Sequence, residues 1–468
     1  MRRPIVRFCL AGVALLVFFQ ALSFVSPSGK RRGRRNTAKE AIAAPRADQG
    51  DAIYSAHNCV GVAYEGNDLD NNRCHFQNVC LELLEPVLLQ PDLPLPEYPW
   101  SEPRPPQSFK LTYFRPRVAE TAPFYWNDLI GEGRPWVRVA RDSYLTPTME
   151  YSAIPSDALW SPSQQAVLQE AYWPENFGHS MGDDFLPAYR LVKSFGSWDR
   201  ADAQIIMHPP CSMRDMPEQG CRNHDALAPL LLDRPLETNE TSLFTSARGR
   251  PVCFRNLYVG TKMLGMSLPS EHVWPGFVDE LRVGAGLDIT QRPKRQRISI
   301  FLKHGRRTVL NYKEVENHLR DRFKVEVDLI DPAKLSLADQ IKYMHETTVV
   351  VSPCGGISFS SMFLPPGASA IFIDYWDTHW NASGQMERFI YTNKDDLTPF
   401  YYPVEKEEVL FDRSVIPEWG NPEDDYMVYR NWANLTVNLE RMERYVLSAL
   451  INAEVANGWQ KSFALEPR

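Results

Sequence analysis

The chain reads as an α/β protein built on a doubly wound parallel sheet, and three observations carry that expectation. From Arg297 onward, short apolar runs alternate with helix-length amphipathic ones. Within that half, the stretch from Thr347 to Asp374 holds two strand-like runs on either side of a glycine pair. Across 468 residues the composition is 44% hydrophobic and 12% aromatic, enough to bury a large core and to divide into two or more globular units.

Each element follows from its pattern. Strands are expected at 297–303, 325–330, 349–351 and 370–374, where β-branched and aromatic residues dominate. Helices are expected at 311–323 and 337–344, with a short third one after Ser358 that Pro365, Pro366 and Gly367 stop. Strands separated by helices imply right-handed crossovers and a parallel sheet. Ligands of such sheets bind beyond the carboxyl ends of the strands, and both Lys303–Arg307 and Ser352–Gly356 fall there. Cys354, Gly355 and Gly356 let backbone approach a ligand, and Ser358 is expected to cap a helix whose first N–H groups favour an anion such as phosphate. An ordinary strand–helix turn without a ligand has the same local pattern.

Upstream, 203–207 and 255–259 read as strands. Met181, Phe185, Leu186, Tyr189 and Val192 recur at helical spacing, interrupted by Pro187. A helix is therefore expected from near Pro187, with His179 and Asp183 on its entry loop or first turns. The pattern at 427–451 predicts a last long helix.

The N-terminal region has a different character. Residues 8–25 form an apolar run about long enough to span a bilayer, preceded by Arg2, Arg3 and Arg7. It reads as a signal-anchor, with a signal peptide cleaved near Ser26 or a bipartite organelle-targeting leader as alternatives. The first fifty residues hold ten Lys/Arg and two Asp/Glu, so the rest carries a net charge of −15 although the whole chain is at −7. A body that acidic excludes nucleic acid as the expected partner.

The expected organisation is a cytoplasmic tail (1–7), the anchor (8–25), a basic stem (26–56), a Cys/Pro-rich segment (57–109), an N-terminal lobe (110–290), a C-terminal lobe (291–385) and a helical extension (386–468). The eight prolines between 86 and 106 forbid a regular helix there.

Leaving aside Cys9 in the apolar run, seven cysteines remain and none forms a C-x-x-C pair, so a zinc site is not expected. Cys59, Cys74, Cys80, Cys211, Cys221 and Cys253 allow three disulfides, with Cys211–Cys221 and one bridge within Cys59, Cys74 and Cys80 as the local expectations and Cys354 as the odd thiol. N-x-S/T sequons at Asn239, Asn381 and Asn434 fit the same luminal compartment.

Two blocks of this sequence resemble those of the glycosyltransferase family 61 domain. The first is Asn176, Phe177, His179 and Asp183 followed by Phe185, Leu186 and Pro187. The second is Gly355 followed by Phe363, Leu364, Pro365, Pro366, Gly367 and Ala368. Val252–Cys253–Phe254, Arg306–Arg307, Asn311 and Glu314 lie between them in the family's order. The likeness runs from about Tyr172 to Tyr375 and departs at Cys354, where the family's loop carries histidine. It implies a GT-B fold of two Rossmann-like lobes, in which the N-terminal lobe holds the acceptor and the C-terminal lobe the nucleotide-sugar. It also implies inverting transfer, with UDP-xylose or UDP-N-acetylglucosamine as donor and a glycan or glycoprotein as acceptor. The compartment expected is the Golgi lumen, in a single-pass type II arrangement, with the endoplasmic reticulum membrane as alternative.

Such chemistry needs a clamp for the diphosphate and a base for the acceptor hydroxyl. Arg306 and Arg307 offer guanidinium forks matched to phosphate oxygens, and Lys303 and His304 add positive potential. Ser352, Cys354, Gly355, Gly356 and Ser358 complete the expected nucleotide-sugar site, to which Asn311 belongs unless it caps the next helix. Asp183 is the expected general base and His179 its rival. No metal or other cofactor is expected, because the only D-x-D, Asp68–Leu69–Asp70, sits in the Cys/Pro-rich segment. A non-catalytic luminal carbohydrate-binding protein on the same fold is the alternative, and Cys354 is its best support. A phosphohydrolase is disfavoured, since neither a P-loop nor a nucleophile elbow is present.

Overall fold

The computed structural model describes residues 55–60, 73–83, 109–112, 137–138, 144–145, 154, 156–169, 171, 174–207, 211, 217–238, 242–247, 250–260, 273–378, 380–384, 387–391, 396–411 and 430–458. The chain divides after Asp51, and all of these belong to the second unit, Ala52–Arg468. The apolar run at 8–25, Asp68–Asp70, the proline-dense stretch at 86–106 and Asn239 lie outside the described residues. No helix among the described residues is long and apolar enough to cross a membrane.

The molecule is mixed α/β with two principal sheets. The second is the doubly wound one: Glu326–Ile330, Arg297–Phe301, Val349–Pro353, Ala368–Ile373 and Leu397–Tyr402 lie side by side in that order, all parallel. Strand order therefore reverses between Arg297–Phe301 and Val349–Pro353, and a crevice at such a switch point is where open α/β sheets hold ligands. Leu397–Tyr402 comes from the expected C-terminal extension, so that segment completes the sheet.

Side-chain alternation sorts this sheet's two faces. Ile298, Ile300, Val349, Val351, Ile371 and Ile373 pack under the helices Tyr312–Phe323 and Leu439–Asn457, while Phe301, Val350, Ala370 and Phe372 face the other way. The last helix begins at Leu439, not Met427, because Ala433–Leu435 is a strand and Asn438 caps the helix with its side chain.

The first sheet has ten strands and is mixed, which departs from two like Rossmann lobes. Val252–Val259, Gln165–Gln169, Ala203–Met207 and Glu237–Thr238 run parallel, but Arg73–Leu83 joins Val252–Val259 antiparallel. Ala56–Val60 and Arg73–Leu83 are thus strands of this lobe, although the Cys/Pro-rich segment reads as a separate module. A disulfide explains the attachment: Cys80 and Cys253 face each other across the register and are bonded. Cys211–Cys221 forms as expected; Cys74 is also disulfide-bonded, and the strand register sets Cys59 opposite it.

One apolar core runs through both lobes. Met181, Phe185 and Tyr189 of the first lobe, Phe277 and Leu281 of the helix Val273–Gly284, and Ile341, Met344 and Phe372 of the second belong to it. The helix that carries His179 and the loop at Gly355–Gly356 are consequently held against one another.

Candidate active site

The His179–Asp183 block lies inside a helix that starts earlier than Pro187. Three helical segments follow without a break: Phe177–His179, the π-helical Ser180–Phe185 and Leu186–Lys193. Pro187 accounts for the π segment. Its ring lacks an N–H and crowds the carbonyl four residues back, which is that of Asp183. The Leu186 N–H instead reaches the Met181 carbonyl five residues back, and Gln169 Nε2 donates to the Asp183 carbonyl at 2.9 Å. A π segment of this kind widens one turn and re-aims its side chains, often at functional sites.

On that widened turn His179 Nδ1 lies 2.5 Å from Asp183 Oδ2. The Asp183 side chain is 2% exposed and that of His179 25%. The acid is thus enclosed, while the imidazole reaches solvent. The neighbouring Asp184 is fully buried against His224, at 2.8 Å, and belongs to the core.

The start of this helix abuts the second lobe's glycine loop. Asn176 caps the helix by accepting from the Gly178 N–H at 3.0 Å. A Cβ at Gly178 would lie 2.6 Å from the Phe359 ring, and one at Gly356 would lie 2.8 Å from Asn176 Oδ1. Glycine is needed at both positions for the two backbones to meet.

The loop itself is a 3₁₀ helix, Gly356–Phe363, preceded by Gly355 with φ 103°. Gly355 is its N-cap and makes no side-chain cap, so the expected capping by Ser358 does not occur. Ser358 Oγ donates to Glu387 Oε1 at 3.1 Å, and the Gly355 N–H donates to the same oxygen at 2.6 Å. Tyr391, stacked on Phe372, donates its hydroxyl to the Ser358 carbonyl. Ser352 is fully buried and bonds the Pro353 carbonyl, under the loop and away from solvent.

Two cations converge on Gly355. A Cβ there would lie 2.6 Å from Arg307 Nη2 and 2.9 Å from Lys303 Nζ. Lys303 donates to the Cys354 carbonyl at 2.6 Å. Burial, and then the neighbouring Arg307, lower the Lys303 ammonium to a pKa of about 8. Arg307 is aimed by the C-terminal extension: its N–H donates to the Ala433 carbonyl and its Nη1 to the Arg430 carbonyl. The pair expected as one clamp divides here. Arg306 turns toward Asn431 and the Trp432 ring, and His304 bonds Asp331 at the surface. Asn311 neither caps the helix Tyr312–Phe323 nor reaches the loop; both ends of its amide are bonded to the Val437 backbone.

Cys354 is the free thiol, as expected, but not a thiolate. It is completely buried, and burial pushes it up to about 12. Its sulfur and the carboxylates of Asp374 and Glu387 come within 4.8 Å of one another, the one cluster among the described residues that meets metal-ligand spacing. Those carboxylates already accept hydrogen bonds from Gly355, Ser358 and Tyr375, and Lys303 and Arg307 stand beside them. Occupied acceptors and adjacent positive charge suit a hydrogen-bonded support better than a cation site.

Glu387 has no signature in the sequence that marks it for this place. Arg430 is equally silent, since 123 residues separate it from the Arg307 side chain that it aims.

The model of the family described as glycosyltransferase 61 matches residues 177–371, from the π-bulged helix to the strand after the glycine loop. Residues 177–371 are thus similar to a glycosyltransferase family 61 domain. Among curated proteins, the chain is similar to protein O-linked-mannose beta-1,4-N-acetylglucosaminyltransferase 2 of Tetraodon nigroviridis, at 25% identity over 44% of this chain and 36% of the relative. The Takifugu rubripes protein of the same name is 24% identical over 44% of this chain and 37% of its own length. The chain thus spans a little over a third of these relatives.

Proposed function

We propose that this chain is an inverting, metal-independent glycosyltransferase of the GT-B type, transferring a sugar from a UDP-sugar to a glycan or glycoprotein in the secretory lumen. The observation that carries it is the convergence of Lys303 and Arg307 on Gly355 at the switch point of the parallel sheet. Two fixed cations packed against a glycine, where a side chain would displace them, suit the diphosphate leaving group. Ser352, Cys354 and Ser358 then support the loop from below, and Arg306 lies at its rim.

His179 is the general base in this reading, with Asp183 fixing the imidazole through its Nδ1. The enclosure of Asp183 supports this order of roles, because an enclosed carboxylate orients better than it reaches. The relatives' name favours N-acetylglucosamine over xylose as the sugar and an O-mannosyl glycan as acceptor. The Golgi, or the endoplasmic reticulum, is the compartment, with residues 8–25 as anchor.

The test is a panel of UDP- and GDP-sugars scored for thermal stabilisation of the purified protein, followed by transfer to an O-mannosyl peptide. Stabilisation by UDP-N-acetylglucosamine with product formed is the expected result. A donor bound without any transfer would favour the carbohydrate-binding alternative, which Cys354 at the family's histidine position motivates.

A further inference from the structure

We propose that Asn381 carries an N-linked oligosaccharide whose first N-acetylglucosamine lies against the indole of Trp380, an inference that rests on the luminal reading above. The triplet Asn381–Ala382–Ser383 has the acceptor pattern with no proline at its centre. Its asparagine sits in the turn of a hairpin in which Trp376 faces Ser383 and Asp377 faces Ala382. Asn381 is exposed and adopts a left-handed φ of 48°, which asparagine tolerates better than most residues. A bulky substituent at that position enters solvent and displaces nothing from the core.

The hairpin is firmly held. The Gly384 N–H donates to the Tyr375 carbonyl at 2.7 Å, and Ser383 Oγ accepts from the Val404 N–H at 3.1 Å. On this anchored turn the large side chain of Trp380 is 74% exposed. The C–H face of a pyranose on the adjacent residue would cover it and gain the contact area an aromatic ring offers. Asn434, by contrast, lies half-buried in a strand bonded on both sides, to 409–411 and to 308–310, where a glycan has less room. The disulfides Cys80–Cys253 and Cys211–Cys221 place the folded chain in an oxidising compartment, where this modification is made.

The co-reactant is a lipid diphosphate-linked oligosaccharide. Asn381 Nδ2 bonds to its anomeric carbon, the carbon–oxygen bond to phosphate breaks, and the lipid diphosphate leaves with the electron pair. Nδ2 gives up one proton, and nothing is oxidised or reduced.

The full chain is expressed in a secretory eukaryotic host and mapped by peptide mass spectrometry, before and after enzymatic removal of N-glycans. Glycan on Asn381 is expected, lost in Asn381→Gln and in Ser383→Ala. Hydroxyl-radical footprinting should oxidise Trp380 severalfold faster once the glycan is removed. A bare Asn381 in protein glycosylated at another sequon overturns the proposal and leaves the luminal reading standing. Bare asparagine at all three sequons overturns both. A glycosylated Asn381 with Trp380 oxidised equally in both forms overturns the stacking contact.

Discussion

The carboxylate of Glu387 accepts a 2.6 Å hydrogen bond from the N–H of Gly355, 32 residues before it in the chain. Because the same oxygen also takes the Ser358 hydroxyl, one buried acid fixes both ends of the turn that meets Lys303 and Arg307. Glu387→Ala strands two buried donors and is expected to cost about 3 kcal/mol in denaturant unfolding. Glu387→Gln keeps an acceptor and should recover most of that. Equal losses in the two variants would mean that volume, not hydrogen bonding, is what Glu387 supplies.

The division of Arg306 from Arg307 makes a graded prediction. Arg307→Ala should weaken UDP binding by about 2 kcal/mol, the scale of a lost charge-assisted contact, and Arg307→Lys should restore little of it. Arg306→Ala should cost well under half as much, since its guanidinium lies at the surface near Asn431. Titration calorimetry with UDP reads both, and equal losses would restore the two arginines as one clamp.

Lys303 gives the site a pH dependence with a defined sign. Its folded pKa is lowered to about 8, so the ligand-free site loses this charge as pH rises through that value. A bound diphosphate favours the ammonium, and binding should therefore take up a proton and weaken between about pH 7 and pH 9. Lys303→Arg stays charged throughout and should flatten the profile. Wild-type affinity unchanged over this range would remove Lys303 from the diphosphate contact.

His179→Ala should lower kcat at least about a hundredfold with donor affinity retained. Asp183→Asn keeps the Nδ1 contact in part and should lose less. If the asparagine variant is the more damaged of the two, the carboxylate is the base and the imidazole its partner.

Cys354 should resist alkylation in the native protein with or without UDP, because the thiol is enclosed and pushed up to about 12. Labelling of Cys354 before unfolding would contradict that burial.

Local pattern sufficed for the second lobe except its fifth strand, Leu397–Tyr402. The runs at 297–303, 325–330 and 349–351 and the helices at 311–323 and 337–344 come out within a few residues of Arg297–Phe301, Glu326–Ile330, Val349–Pro353, Tyr312–Phe323 and Leu337–His345. Strand and helix periodicities are properties of contiguous residues, whereas the order of the strands in the sheet, and with it the switch point, comes from their pairing. The odd thiol and the Cys211–Cys221 bridge were legible for the same reason: short range leaves few choices.

What the sequence could not carry is whatever depends on distant chain segments meeting. The Cys80–Cys253 bridge spans 173 residues and turns a Cys-rich segment into central strands of the first lobe. The carbonyls of Arg430 and Ala433 decide that Arg307, and not Arg306, turns inward. The Val437 backbone removes Asn311 from the site, and Glu387 supplies the loop's acceptor. Even the helix at His179 needed Gln169 from a neighbouring strand to take up the carbonyl that Pro187 leaves unbonded. The sequence by itself determined which residues can do the chemistry, because charge, ring and thiol are local properties. Which of them face one another was decided by tertiary packing, since a buried polar group is satisfied by whatever the fold brings to it.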